Sequence, residues 1–289
     1  MRLLASLLLS ALFLTACAGP GGTARKLEPA AELEPGTLLT PAGEALGPDQ
    51  LAAAVADARY VLVGEGHDSA CDHRVQAAIV RALSARAPVV GLEMVSTERQ
   101  DVLDRFHAGE VTVEELDGAL GWEKKWGVPF ALYRPIFDEA AAAQLPVAAL
   151  NVPAEVVRQV SREGESALPP EVPALLPPPP EQEEMLRTAY ESHAHGAQPS
   201  EEGFARFLRV QSLWDTAMAG AAKTWSRRLD RPVVVLAGAG HVSHGWGIGH
   251  RLAQLDPGAG IVEVVPWRGA EAIDPAAGDF FFYCPREER

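Results

Sequence analysis

Tyr60-Val61-Leu62-Val63-Gly64-Glu65-Gly66-His67 is the stretch that decides the fold. Its first four residues form a short apolar run, two of them β-branched, so they read as a strand covered on both faces. Polarity then changes abruptly, with two glycines framing an acid and a histidine. The pattern recurs three times. Val89-Val90-Gly91-Leu92 runs into Glu93, and Val147-Ala148-Ala149-Leu150 runs into Asn151. Val233-Val234-Val235-Leu236 leads to Gly238-Ala239-Gly240-His241. Between these runs, Asp72–Ala85, Thr97–Phe106 and Pro135–Gln144 are apolar on one face at spacings of three and four, as helices are. The alternation predicts an α/β protein: a parallel-sheet core with helices on both faces. Ile261–Val265 and Phe280–Tyr283 read as later strands near an edge.

In an open parallel sheet the ligand crevice lies beyond the carboxyl ends of the strands. Four strands therefore deliver Glu65, His67, Glu93, Asn151 and His241 to one edge, and the glycines beside both histidines permit close backbone approach. Asp68 and His73 follow the first motif, with Asp72 placed to cap the next helix. Glu65, His67, Glu93 and His241 could hold a divalent metal such as zinc or manganese. They could equally form a metal-free acid–base site in which a carboxylate orients a histidine. No HExxH metal spacing and no Gly-x-Ser-x-Gly nucleophile signature is present. A dinucleotide reading of the glycines in Gly238–Gly249 fails, because histidines stand where a phosphate would approach.

Leu168–Pro180 contains seven prolines and can be neither helix nor central strand. Two helical segments follow, roughly Glu181–His193 and Gly203–Leu229. Residues 165–230 thus read as a mainly helical insertion with a proline-rich entry, packed over one end of the sheet. At the other extreme, Arg2 precedes an apolar run, Leu3–Leu14, that is short for a bilayer span of about twenty residues. It ends in Leu14-Thr15-Ala16-Cys17, which resembles the bacterial lipobox. Residues 1–16 read as a lipoprotein signal peptide, with Cys17 the lipidated residue. Residues 17–45, rich in Pro, Gly, Ala and Glu, read as a flexible tether. Ala18 after the cysteine favours the outer membrane of the bacterial envelope. Residues 46–289, roughly 240 in all, suffice for one large α/β domain.

The net charge of −14 with no basic run argues against nucleic acid as a partner. With Cys17 used for lipid, Cys71 and Cys284 remain, and outside the cytoplasm they could pair.

Taken in order, these residues resemble the ChaN-like haem-binding lipoproteins of the Tiki superfamily, over roughly Tyr60 to Trp246. The parts are Leu62–Asp68, His73 with Gln76, Gly91–Met94 with Gln100, Trp122 and Trp126 ahead of Tyr133-Arg134-Pro135, Leu150–Pro153, Asp215 with Met218-Ala219, and Leu236–Val242. The resemblance implies haem carriage in iron acquisition, with two protomers able to enclose a pair of stacked haems. It also implies a tyrosinate on each iron and a histidine contact from the partner; tyrosinate, a hard anion, suits ferric haem. The chain's tyrosines are Tyr60, Tyr133, Tyr190 and Tyr283. Tyr60 and Tyr283 lie in strands, so Tyr133, in the Trp-rich motif, is the first candidate ligand. Tyr190, near His193 and His195, is the second, and His73 is a further candidate haem contact.

Other branches of the superfamily imply different chemistry. The paired Gly-x-x-His motifs resemble those of Tiki-type metal-dependent proteases and erythromycin-esterase-like hydrolases. On that resemblance Glu65, His67, Glu93 and His241 would bind metal or activate water, and Arg134 would sit near a developing oxyanion.

Overall fold

The computed structural model describes residues 33–192 and 199–286. Cys17 and the signal peptide, and also His193 and His195, lie outside these residues. The sheet has eight strands: β1 (Leu38–Leu39), β2 (Ala45–Leu46), β3 (Tyr60–Glu65), β4 (Val89–Ser96), β5 (Val147–Asn151), β6 (Val233–Gly238), β7 (Ile261–Trp267) and β8 (Phe280–Tyr283). Their order is β2-β1-β8-β7-β3-β6-β4-β5. The pairs among β3 to β8 are parallel, and only the β1 pairings are antiparallel. The four runs expected as buried parallel strands are β3 to β6.

Val, Leu and Ala fill these strands because both faces are covered. On one side Val61, Val63, Val90, Leu92 and Leu236 pack against the helices Ala70–Leu83 and Phe130–Ala142. On the other, Leu62, Val233 and Val235 pack against Met218, Ala219 and Ala222 of the helix Glu201–Leu229, and against Ile248 and Leu252. Each such aliphatic side chain contributes roughly 1.5–3 kcal/mol when fully buried.

The connections place the site. From β3 the chain crosses to β4 through a helix on the first face; from β6 it crosses to β7 through Ile248–Leu255 on the second. Adjacent strands β3 and β6 therefore part company at their carboxyl ends, and this is where a crevice opens in a doubly wound sheet. Strand β4 also changes register beside it. Leu92 pairs with Ala149 and Ser96 with Asn151, so the irregularity spans Glu93 to Val95. A bulge of this kind re-aims a side chain at a strand end.

Several expectations need correction. Residues 17–45 were expected to be tether throughout, but Leu38 and Leu39 are buried and pair with β8, so the fold begins well before residue 46. Strand β7 does not lie near an edge; it is beside β3, with β8 and the β1–β2 pair beyond it. The Pro135 helix starts at Phe130. Asp72 is not the cap of its helix: Ser69 accepts from the Asp72 amide, while Asp72 takes a bidentate pair from Arg268 and the Gly66 N–H. The region 165–230 does hold a proline-rich entry and the helices Pro180–Ser192 and Glu201–Leu229. The second half of the long helix, however, belongs to the sheet's cover and is no insertion. Cys71 and Cys284 are joined in a disulfide that ties the first turn after β3 to the end of β8.

Candidate active-site crevice

Glu65 ends β3 on the first face, with no exposed side-chain surface. Its Oε1 accepts from the Tyr133 hydroxyl at 2.5 Å and from His67 Nδ1 at 2.9 Å. Its Oε2 faces His73 Nδ1 at 3.4 Å. Burial would raise the carboxyl's pKa, but the hydrogen bonds from His67, His73 and Tyr133 outweigh it and hold the group at about 2. Glu65 is thus a fixed anion. His73 Nε2 donates to the His67 carbonyl at 3.1 Å, and its Nδ1 also meets Gln76 Oε1 at 3.1 Å. Burial would lower the pKa of His73, but the hydrogen bond and charge of Glu65 outweigh it and raise it above the ordinary value. His67 keeps 41 % of its side chain exposed, with Nδ1 held by Glu65 and its ring edge-on to Trp126 at 4.9 Å.

The second half is built on the opposite face. Glu93 Oε2 accepts from the Gly238 N–H at 2.6 Å, which links β4 to the end of β6. His241 Nδ1 donates to Asp215 Oδ1 at 2.6 Å, and its Nε2 faces Glu93 Oε1 at 3.6 Å. Asp215 comes from the long helix. Its other oxygen accepts from Gln182 Nε2 at 3.0 Å and lies 3.6 Å from Arg251 Nη1. Gln182 in turn accepts from Arg251 at 2.6 Å. Burial would lower the pKa of His241, yet Glu93 and Asp215 outweigh it and raise the ring to about 9. His241 is therefore an imidazolium near neutrality.

The halves meet at Gly238. A Cβ there would lie 2.8 Å from His67 Cε1 and 3.1 Å from its Nε2, so only glycine lets the ring come this close to β6. The result is two histidines, each with Nδ1 committed to a buried carboxylate, with His241 Nε2 also facing Glu93. Carboxylate-oriented imidazoles are the parts of an acid–base pair. Beside them a cleft of about 530 Å³ opens, lined by Glu93, Asn151, Arg99, Trp126 and Trp214 among others. Trp214 is edge-on to His241 at 6.2 Å.

The structure brings Glu65, His67, Glu93 and His241 together, with Asn151 on the cleft wall. It does not bring them to a common point. Among the described residues the one trio of donor atoms within 4.8 Å of each other is Cys71, Asp72 and Cys284, and its sulfurs form the disulfide. The four-residue metal set is accordingly not supported by the donor geometry. Arg134 points away; it pairs with Glu114 and Asp138 on the surface, on the side of its helix that Tyr133 does not occupy. Tyr133 has no exposed surface and its hydroxyl is committed to Glu65, with burial raising its pKa far above the ordinary value. Its hydroxyl supports the crevice by holding Glu65. His73 is equally buried.

Tyr190 lies on the insertion helix, between Phe204 and Phe207 at ring distances of 5.8 and 5.7 Å. Gln182, Arg251 and Arg99 were missed as site residues, and Asp215 was placed in the family motif without a role. The signal for Asp215 was a lone acid on the otherwise apolar stripe Leu213 to Met218. Gln182 and Arg251 carry no such mark.

The structure superposes on ChaN of Campylobacter jejuni, described with cofacial haem binding, at a TM-score of 0.69 and 21 % identity, covering 85 % of this chain and 95 % of that one. A type III effector, HopBA1, scores 0.49 at 13 % identity, covering 83 % of this chain and 94 % of that one. An erythromycin esterase mutant in its open conformation scores 0.46 at 15 % identity, covering 80 % and 76 %. Those last two scores are too low to carry an argument. No curated protein sequence matches significantly. Residues 51–252 match the family described as haem-binding uptake, Tiki superfamily, ChaN, and the chain belongs to that family.

Proposed function

We propose that this protein binds ferric haem for haem or iron uptake, with Tyr190 as the iron ligand. The observation that carries the proposal is where the tyrosines lie. Tyr60 donates from the core to Asp256, Tyr133 is committed to Glu65, and Tyr283 packs on Trp267 in the sheet. Tyr190, half-exposed as Tyr283 is, lies on the helix Pro180–Ser192 and outside the sheet. Around it lie Phe204 and Phe207, with Arg187 stacked over Phe204 at 4.0 Å. Phe207 is partly exposed beside Tyr190, and Arg187, paired with Glu201, adds a cation, a combination that suits a flat apolar ligand carrying carboxylates; the Tyr190 hydroxyl accepts from the Ser200 N–H at 3.4 Å. Tyrosinate on iron favours the ferric state. The run Leu14–Cys17 supports an exported protein anchored by lipid on Cys17, in the outer membrane. A haem titration of Tyr190→Phe tests the ligand: loss of the charge-transfer and Soret features of the wild type supports it, and an unchanged spectrum refutes it.

The crevice favours a second reading, hydrolysis of an ester or amide. A water held by His67 Nε2 would pass its proton there as its oxygen bonds to the carbonyl carbon. His241, already an imidazolium, would donate its Nε2 proton to the departing oxygen or nitrogen as the C–O or C–N bond breaks. Nothing in this sequence of steps needs Arg134. Turnover of 4-nitrophenyl esters that His67→Ala abolishes, in a variant that still folds, supports this reading. No turnover, with or without added divalent metals, refutes it.

A further inference from the structure

We propose that the cleft beside Glu93 is a binding site for an apolar carboxylate whose charged group pairs with Arg99. The cleft's volume, about 530 Å³, falls within the rough 300–1,000 Å³ range of small-ligand sites. Its walls are apolar and aromatic, with Trp126 and Trp214 each set against one of the crevice histidines. The charge in it runs against the rest of the molecule. In a chain of net charge −14, the lining holds Arg99, Lys124, Lys125 and Arg158 against only Glu93 and Glu98.

Most of that charge is already committed. Lys125 pairs with Glu98, Arg158 with Glu155, and Glu93 with the Gly238 amide and His241. Arg99 is different. Among the described residues it has no acidic partner within 4.0 Å, and its Nε is buried with no hydrogen-bond acceptor. A buried donor left unpaired is costly, and a guanidinium presents a planar fork that a carboxylate fills with two parallel hydrogen bonds. The combination of an uncommitted arginine, flat apolar walls and no opposing free acid defines the ligand: an apolar body carrying a carboxylate. Two sources share that chemistry, an acyl chain and the propionate edge of a porphyrin. This site is separate from the Tyr190 surface, and its existence does not depend on the haem ligand being Tyr190.

The test is a tryptophan-fluorescence titration with dodecanoate, 1-dodecanol and dodecyltrimethylammonium, three chains of equal length and different charge. The wild type is expected to bind dodecanoate best and the cation worst. Arg99→Met should weaken dodecanoate by about tenfold or more while leaving dodecanol unchanged, and Arg99→Lys should weaken it less. A parallel titration of both proteins with ferric haem separates the sources. Haem binding that also falls in Arg99→Met, and that dodecanoate displaces, assigns the carboxylate to a porphyrin. Haem binding that is indifferent to Arg99 assigns it to an acyl chain. The proposal is overturned if the wild type does not prefer dodecanoate over dodecanol, or if Arg99→Met binds dodecanoate as the wild type does. The comparison of three chain heads on the wild type alone decides the first point even if the variants fold poorly.

Discussion

The hydroxyl of Tyr133 donates to Glu65 at 2.5 Å, and that bond joins a surface-lying helix to the end of the first central strand. Trp126 donates to the same hydroxyl at 3.2 Å, so the Trp-rich motif, Tyr133 and the glycine-framed acid form one hydrogen-bonded unit. A family-level expectation had assigned this tyrosine to iron. Its burial assigns it to holding Glu65, and through Glu65 the ring of His67.

Tyr133→Phe should therefore destabilise the fold by about 1–3 kcal/mol, because it leaves a buried carboxylate oxygen short of a donor. Haem binding should be untouched. Urea unfolding and a haem titration of the same variant measure the two effects together.

A second relationship links the insertion to the crevice. Gln182, near the start of the insertion helix, donates to the carboxylate that orients His241. Gln182→Leu should free one oxygen of Asp215 and leave the buried Arg251 with fewer acceptors. Loosening of His241 should show as a shift in its ring resonances by NMR, larger than the shift at His67.

Stability should fall with rising pH in two steps. Glu263 is raised to about 7, first by burial and then by Asp279, against an opposing hydrogen bond from Gly245. A carboxyl raised on folding stabilises below its unfolded value, 4.5, and loses that contribution as pH climbs through about 7. His241 behaves alike at higher pH: its contribution is complete below 6.5 and lost through about 9. Glu263→Gln should flatten the first step and His241→Gln the second, in melting temperatures taken from pH 4 to 10.

Gly238→Ala should break the crevice without breaking the sheet. The new methyl would meet the His67 ring at 2.8 Å, and the ring, being half-exposed, can swing away. The variant should melt close to the wild type, while any ester turnover should fall as far as it does in His67→Ala.

Much of this was legible in the sequence, and for identifiable reasons. Tyr60–Val63, Val89–Leu92 and Val233–Leu236 announce buried parallel strands because they are short, rich in Val and bounded by turn residues. The polar residues after them had to gather, since parallel strands end at one edge. What stayed hidden were contacts made through long side chains across the fold. Whether Tyr133 faced solvent or Glu65 depended on a helix beginning at Phe130, five residues ahead of the proline taken as its start. Arg134, one position on, points away for the same reason. Asp215 and Gln182 belong to helices whose faces only packing determines. Leu38 and Leu39 join the sheet by pairing with Phe281 and Phe282, more than two hundred positions away, and local composition carries no sign of it.

Removing the disulfide should cost about 2–5 kcal/mol, given the long loop it closes. Cys71→Ser with Cys284→Ser should lower the unfolding free energy measured in urea by that amount, and β1 and β8, toward one side of the sheet, should exchange amide hydrogens faster than β6.

The most direct test of the central claim is a ferric-haem titration of residues 33–289 and of its Tyr190→Phe variant, followed by absorbance. The account predicts saturable binding with a tyrosinate-type ferric spectrum in the wild type, and loss of that spectrum in the variant while Tyr133→Phe keeps it. A wild type that takes up no haem, or a Tyr190→Phe protein with an unaltered spectrum, would contradict it.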